Sequence, residues 1–320
     1  MQPDVNALDT LTLQGQIPIV GIAIALIGGI FLSLGAQFQH RGVQRVEERR
    51  AADRADAHEA SEAPASTRGF RAILASQARL FATPWWLLGT VLYVVAILCQ
   101  LVSLGFAPLI VVQPLGVVGL VVSSIINSRI SRVELAPVAI RAIVFCVVGI
   151  GIFVTSASLV THDSGLQAGP QFIIVISILV VVVVLLGIAY LVFRRWFRAI
   201  FYVVAAGICF GFVATIAKVT INRFVAGTID WLALLGLAGI LLAGGLGSYF
   251  VQQAYAIGAP DLVIAGLTVV DPMVAVLLGI TVLGEAADAP VWVLFVWVAS
   301  AALAIFGVFQ LARHHPQTVH

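Results

Sequence analysis

The chain has 320 residues, of which 61% are hydrophobic and only 10% charged, with 29 glycines and a mean hydropathy of +1.09. Soluble domains carry about 25% charge, so a water-soluble enzyme is excluded. A formal charge of +2, with no basic cluster outside one loop, excludes a nucleic-acid partner.

A helix needs about 20 apolar residues to cross the hydrocarbon core of a bilayer. Runs of that kind predict an all-α polytopic membrane protein with nine spans, near 17–36, 84–104, 108–128, 136–157, 171–193, 199–222, 231–256, 260–283 and 291–312. The leader before the first run contains Asp4 and Asp9 and no Lys or Arg. It lacks the basic region of a secretory signal, so the run is expected to remain as a mature span.

Between the first two spans lies the one long polar loop, 37–83. Glu47 to Ala65 shows no apolar periodicity and reads as disordered or as a lone solvated helix. Arg68 to Phe81, with Phe70, Ile73, Leu74 and Leu80 set against Arg71 and Arg79, reads as a short helix on the membrane surface or as a plain tether.

Arginines concentrate in loops 37–83, 129–135 and 194–198, all on one side of a nine-span chain. Basic loops stay inside, which predicts a plasma-membrane protein with its N-terminus outside and its C-terminus inside. Trp85, Trp86, Trp196, Trp231 and Trp292 fall at span ends, where an aromatic belt belongs. Cys99, Cys146 and Cys209 each lie in an apolar run, away from any other Cys or His at ligand spacing, so neither a disulfide framework nor a metal site is expected.

Ala107-Pro108 and Ala259-Pro260 anchor an internal repeat. Each pair closes one span and opens the next, with Gln100 or Gln252 eight residues upstream of the proline and Glu134 or Glu285 closing the span that follows. The preceding helices also correspond, because Gly29, Ser33, Gln37 and His40 have the spacing of Gly207, Gly211, Thr215 and Lys218, along one helix face. The predicted division is therefore an outer tail and first span (1–36), a cytoplasmic loop (37–83), the rest of the first repeat (84–157), a linker and linking helix (158–193), the second repeat (194–312) and a cytoplasmic tail (313–320). An odd number of spans separates the two starts, so the copies face opposite ways. Inverted repeats are a common plan of secondary transporters, whose halves rock about a shared midplane site.

Pro84-Trp85-Trp86-Leu87-Leu88-Gly89, Gly105-Phe106-Ala107-Pro108 and Val112-Gln113-Pro114-Leu115-Gly116 running to Ser123-Ser124 resemble the NIPA-type branch of the drug/metabolite transporter (DMT) superfamily. Ala256-Ile257-Gly258-Ala259-Pro260 to Leu283-Gly284-Glu285 resembles the end of the EamA-type repeat of the same superfamily. The resemblance implies a permease with an inverted-repeat DMT-like arrangement. Nine spans with a long first inner loop is closer to the NIPA pattern than to the ten spans of most EamA proteins. NIPA-type relatives are associated with magnesium. Here Gln113 and Asp271, each directly before a proline, make no multi-carboxylate site, so magnesium is the alternative substrate.

Polar groups inside the bilayer are costly and tend to face a cavity or a partner helix. Tyr93 and Gln100 share a face of span 2, Gln113 and Ser124 of span 3, and Gln252 and Tyr255 of span 7. Each stripe is equally the small or hydrogen-bonding face of a helix contact. Asp271 stands apart as the acid near the middle of a span, where a charge costs about 2.5–3.5 kcal/mol on insertion scales. Pro272 frees carbonyls beside it. Lys218, the only lysine, lies late in span 6. It is expected either to snorkel to the outer surface or to line the pathway and pair with Asp271. Glu134 and Glu285 are expected to cap loops.

These residues predict a secondary transporter that needs no cofactor and moves a small organic molecule in exchange for protons bound at Asp271. The alternative is a NIPA-like pathway for magnesium, and lipid is the surrounding partner, with a homodimer left open. All six histidines lie at span ends or in loops. That excludes a buried Ser-His pair and with it an intramembrane enzyme of that kind.

Overall fold

The computed structural model describes residues 5–58, 83–131, 137–161, 169–193, 199–227, 230–258 and 260–313. Among them it contains nine helices and no strand: α1 (Val5–His58), α2 (Pro84–Phe106), α3 (Leu109–Ser131), α4 (Pro137–Val160), α5 (Gly169–Phe193), α6 (Ala199–Val225), α7 (Trp231–Ile257), α8 (Pro260–Thr281) and α9 (Val291–Arg313). Each holds a stretch long and apolar enough to cross a membrane. The chain is a multi-pass membrane protein.

Prolines set several of the boundaries. Pro84, Pro137 and Pro260 open α2, α4 and α8, where the missing N–H costs nothing and the fixed φ already suits a helix. Pro108 separates α2 from α3 and forces Ala107 into an extended conformation, φ −140° and ψ 154°. At the start of α7, Asp230 accepts the Ala233 N–H at 3.3 Å, an N-cap bond.

The first helix departs from the expected organisation. It does not stop at 36 but continues as one helix to His58, which bears out the helical reading of 47–58 and makes that helix continuous with the first span instead of separate from it. Hydropathy ends at the membrane edge, but helix propensity does not. Alanine, glutamate and arginine dominate 47–57, with Arg49 and Asp53 four apart, a spacing that supports a helix. The proposed surface helix at 68–81 lies outside the described residues, as do Glu134 and Trp196.

Packing follows a pattern that occurs twice. α1 lies against α2 and α3, while α6 lies against α7 and α8; α4 meets α3, and α9 meets α8. The two sets are joined by α3 on α8 and by α4 on α9. The span of α6 is 61% buried and that of α5 only 17%, so α6 is the hub of the bundle and α5 runs along its edge.

Close approaches recur at corresponding places. A Cβ on Gly29 would stand 3.6 Å from the Gly119 nitrogen, and Ser33 donates its hydroxyl to the Gly119 carbonyl at 2.6 Å. In the second set, a Cβ on Gly207 would stand 2.6 Å from the Val270 Cβ and 3.2 Å from the Asp271 nitrogen. Gly119 and Asp271 each lie eleven residues past the proline of their Ala-Pro pair.

Candidate functional site

One group of polar residues inside the bundle surrounds the corner at Ala107-Pro108. Because α3 begins there, its first N–H groups have no partner in their own helix. The Glu285 carboxylate accepts two of them, Leu109 N–H at 2.8 Å and Ile110 N–H at 2.9 Å. On the other side of the corner, Lys218 Nζ donates to the Ala107 carbonyl at 2.8 Å and lies 3.3 Å from Glu285 Oε1. Both charged side chains are 0% exposed.

Each charge meets the helix end that suits it. The carboxylate sits at the positive N-terminus of α3, and the ammonium at the negative C-terminus of α2. Taking two charges out of water costs several kcal/mol per ion, offset only when their remaining hydrogen-bonding capacity is used. Here two backbone donors and one backbone acceptor use it.

Two glycines place the glutamate. Gly284, with φ 67°, turns the chain back after α8 so that the Glu285 N–H reaches the Gly279 carbonyl at 3.0 Å. A Cβ on Gly279 would lie 3.1 Å from Glu285 Oε2 and 3.0 Å from Ile110 Cγ1. Only a glycine leaves both groups undisturbed.

This arrangement corrects two expectations. Lys218 does not snorkel, because its ammonium is sealed in the bundle and bound to Glu285. Glu285 does not cap its own loop; it caps the helix that starts at Leu109.

Asp271 lies on α8. The residue is half-buried, and its Oδ1 is fully buried without a hydrogen-bond partner among the described residues. Ser124 of α3 is buried with its hydroxyl likewise unpartnered. A carboxylate oxygen left unbonded in this way carries a large desolvation cost. A proton or a cation relieves it.

The remaining predicted residues are spread over several helices. Gln113 is buried one turn below the start of α3. Tyr93 and Gln100 are half-buried on α2, and the Tyr93 ring packs where a Cβ on Gly35 would stand 3.2 Å away. Gln252 and Tyr255 are exposed on α7. The structure therefore does not bring Gln100 and Gln252 together in one buried site, and α2 and α7 are not among the principal helix pairs of the described residues. No group of three or more His, Cys, Asp and Glu able to hold a metal occurs among the described residues.

No family model matches the chain, and no solved structure does. It is 27% identical over 242 residues to an uncharacterized protein of Corynebacterium glutamicum, a match covering 74% of this chain and 81% of that protein. Over 88 residues, 28% of this chain, it is 31% identical to the probable magnesium transporter NIPA2 of Arabidopsis thaliana, covering 25% of that protein. The chain thus has the helical build of a membrane transporter and a local similarity to a NIPA magnesium transporter.

Proposed function

We propose that the chain is a secondary transporter of the DMT type, built from two inverted four-helix repeats joined by α5, that exchanges a small organic solute for protons at Asp271. The observation that carries this reading is the buried, unbonded Oδ1 of Asp271, followed by Pro272 inside the continuous helix α8. A proline there removes one N–H from the helix ladder, and costly polar groups at mid-membrane mark substrate and proton pathways. The paired packing of α1 with α2 and α3, and of α6 with α7 and α8, supports the repeat. So do the Gly29–Gly119 and Gly207–Asp271 approaches.

On this reading the chain is a permease and not an enzyme. It sits in the plasma membrane with its N-terminus outside, and it uses no cofactor. The proton or the solute neutralises the carboxylate in turn, so neither crosses without the other. Gln100, Gln113, Tyr93, Gln252 and Tyr255 supply hydrogen bonds along the route.

A second reading, transport of magnesium, is favoured by the 88-residue similarity to a protein named a probable magnesium transporter. Magnesium keeps several waters and needs only one or two carboxylates, and Asp271 supplies one. Purified chain in liposomes separates the two readings. Solute flux that follows an imposed proton gradient supports the first, and magnesium flux without a gradient supports the second. Neither flux, with a panel of solutes, overturns both.

A further inference from the structure

We infer that Lys218 and Glu285 form a latch that closes the Ala107-Pro108 end of the pathway, and that the two leave that corner together when the end opens. The inference rests on the transport reading, and it adds to that reading the device that seals one side.

The connectivity of the bonds carries the argument. Lys218 lies on α6 and Glu285 on the turn after α8, both in the second helix set, so their 3.3 Å ion pair lies within one body. Their bonds to Ala107, Leu109 and Ile110 reach into the first set. Parting the two sets breaks those three hydrogen bonds and leaves the ion pair whole, so no isolated charge is created. The groups released on the other side are helix ends, which water solvates readily.

The choice of chemistry points the same way. A permanent join is served as well or better by packed apolar residues than by buried charges. A join that must open to water is not, because apolar faces would then be exposed.

Packing places the corner within a helix contact. α2 and α3 both lie against α6, and a Cβ on Gly105 would stand 3.5 Å from Ile221 Cγ2 at that contact.

The test uses the full chain in liposomes, with Cys99, Cys146 and Cys209 replaced by alanine and a single cysteine at Gln113, one turn behind the corner. A membrane-impermeant maleimide is applied from each side in turn. With Glu285→Gln the labelling rate is expected to rise at least tenfold, from one side only. Glu285→Asp keeps the charge but is too short to hold both N–H groups, so it gives a smaller rise in the same direction and serves if the glutamine variant fails to fold. A disulfide between Gly105→Cys and Ile221→Cys, formed before the probe is added, is expected to suppress the rise until it is reduced. Equal labelling rates in parent and folded variant overturn the latch. Solute flux is measured separately on the chain with Gln113 intact. Latch-dependent labelling without flux sinks the transport reading alone, and flux without latch-dependent labelling sinks the latch alone.

Discussion

Gly207 and Asp271 meet across α6 and α8 with no room for a side chain between them, since a Cβ on Gly207 would come within 3.2 Å of the Asp271 nitrogen and 2.6 Å of the Val270 Cβ. Overpacking of this kind costs about 1–3 kcal/mol. Gly207→Ala is therefore expected to lower the thermal midpoint in detergent. Gly116→Ala, where an added Cβ meets nothing within 4 Å, should leave it unchanged or raise it slightly. Equal midpoints for both variants would contradict the close contact.

Asp271→Asn keeps the shape of the side chain and its capacity to hydrogen-bond, but cannot titrate. The variant is expected to insert and fold at the parental level and to lose gradient-driven flux altogether. Asp271→Glu should keep part of the activity, with a displaced pH optimum. Flux against a gradient by the asparagine variant, at the rate of the parent, would reduce Asp271 to a structural buried acid.

Asp230 offers a prediction at acid pH. Desolvation acts upward on its carboxyl, but hydrogen bonds from Arg223 and the Ala233 N–H, together with the Arg223 charge, outweigh it and hold the group below the usual carboxylate range. A depressed carboxyl contributes stability that is fully present above the unfolded value, about pH 3.9, and is lost as pH falls through the lower folded value. Melting scans of the parent and Asp230→Ala should therefore differ at neutral pH and converge as the pH drops below about 3.9. A difference that persists undiminished at lower pH would show that the carboxylate charge is irrelevant there.

Topology is open to direct measurement. A single cysteine at Ala55 should resist an impermeant maleimide in intact cells, and one at Ser158 should react. The arginine-rich loops motivate this orientation. Labelling at Ala55 from outside would overturn both the orientation and the inversion of the repeat.

The nine spans were legible because hydropathy and the Pro boundaries at Pro84, Pro137 and Pro260 act locally. The helix over 47–58 was legible as one of two readings, but its continuity with α1 was not, since polar composition suits a solvated helix without saying what it joins. Asp271 stood out because a mid-span acid is costly wherever the chain folds around it. The Lys218–Glu285 corner was only half legible. The sequence puts the sole lysine and Glu285 near the same side of the membrane, which was the available signal. Their other partners are the backbone groups of Ala107, Leu109 and Ile110. Backbone N–H and C=O groups are the same in every residue, so no side-chain pattern announces them. The mid-chain glutamines were legible only as far as their helix faces. Spacing along a helix gives a shared face, but it does not say whether that face is enclosed, and on α7 it is exposed.

The sealing of Lys218 has a spectroscopic consequence. Because the chain has a single lysine, growth on isotopically enriched lysine places one labelled side-chain amine in the whole molecule, and that amine touches the Ala107 carbonyl at the end of α2 and the Glu285 carboxylate that caps α3. Its ammonium protons, shut away from solvent in the closed molecule, exchange slowly. Every excursion that admits water speeds their exchange. One resonance of the unaltered protein therefore reports how often that end of the molecule opens.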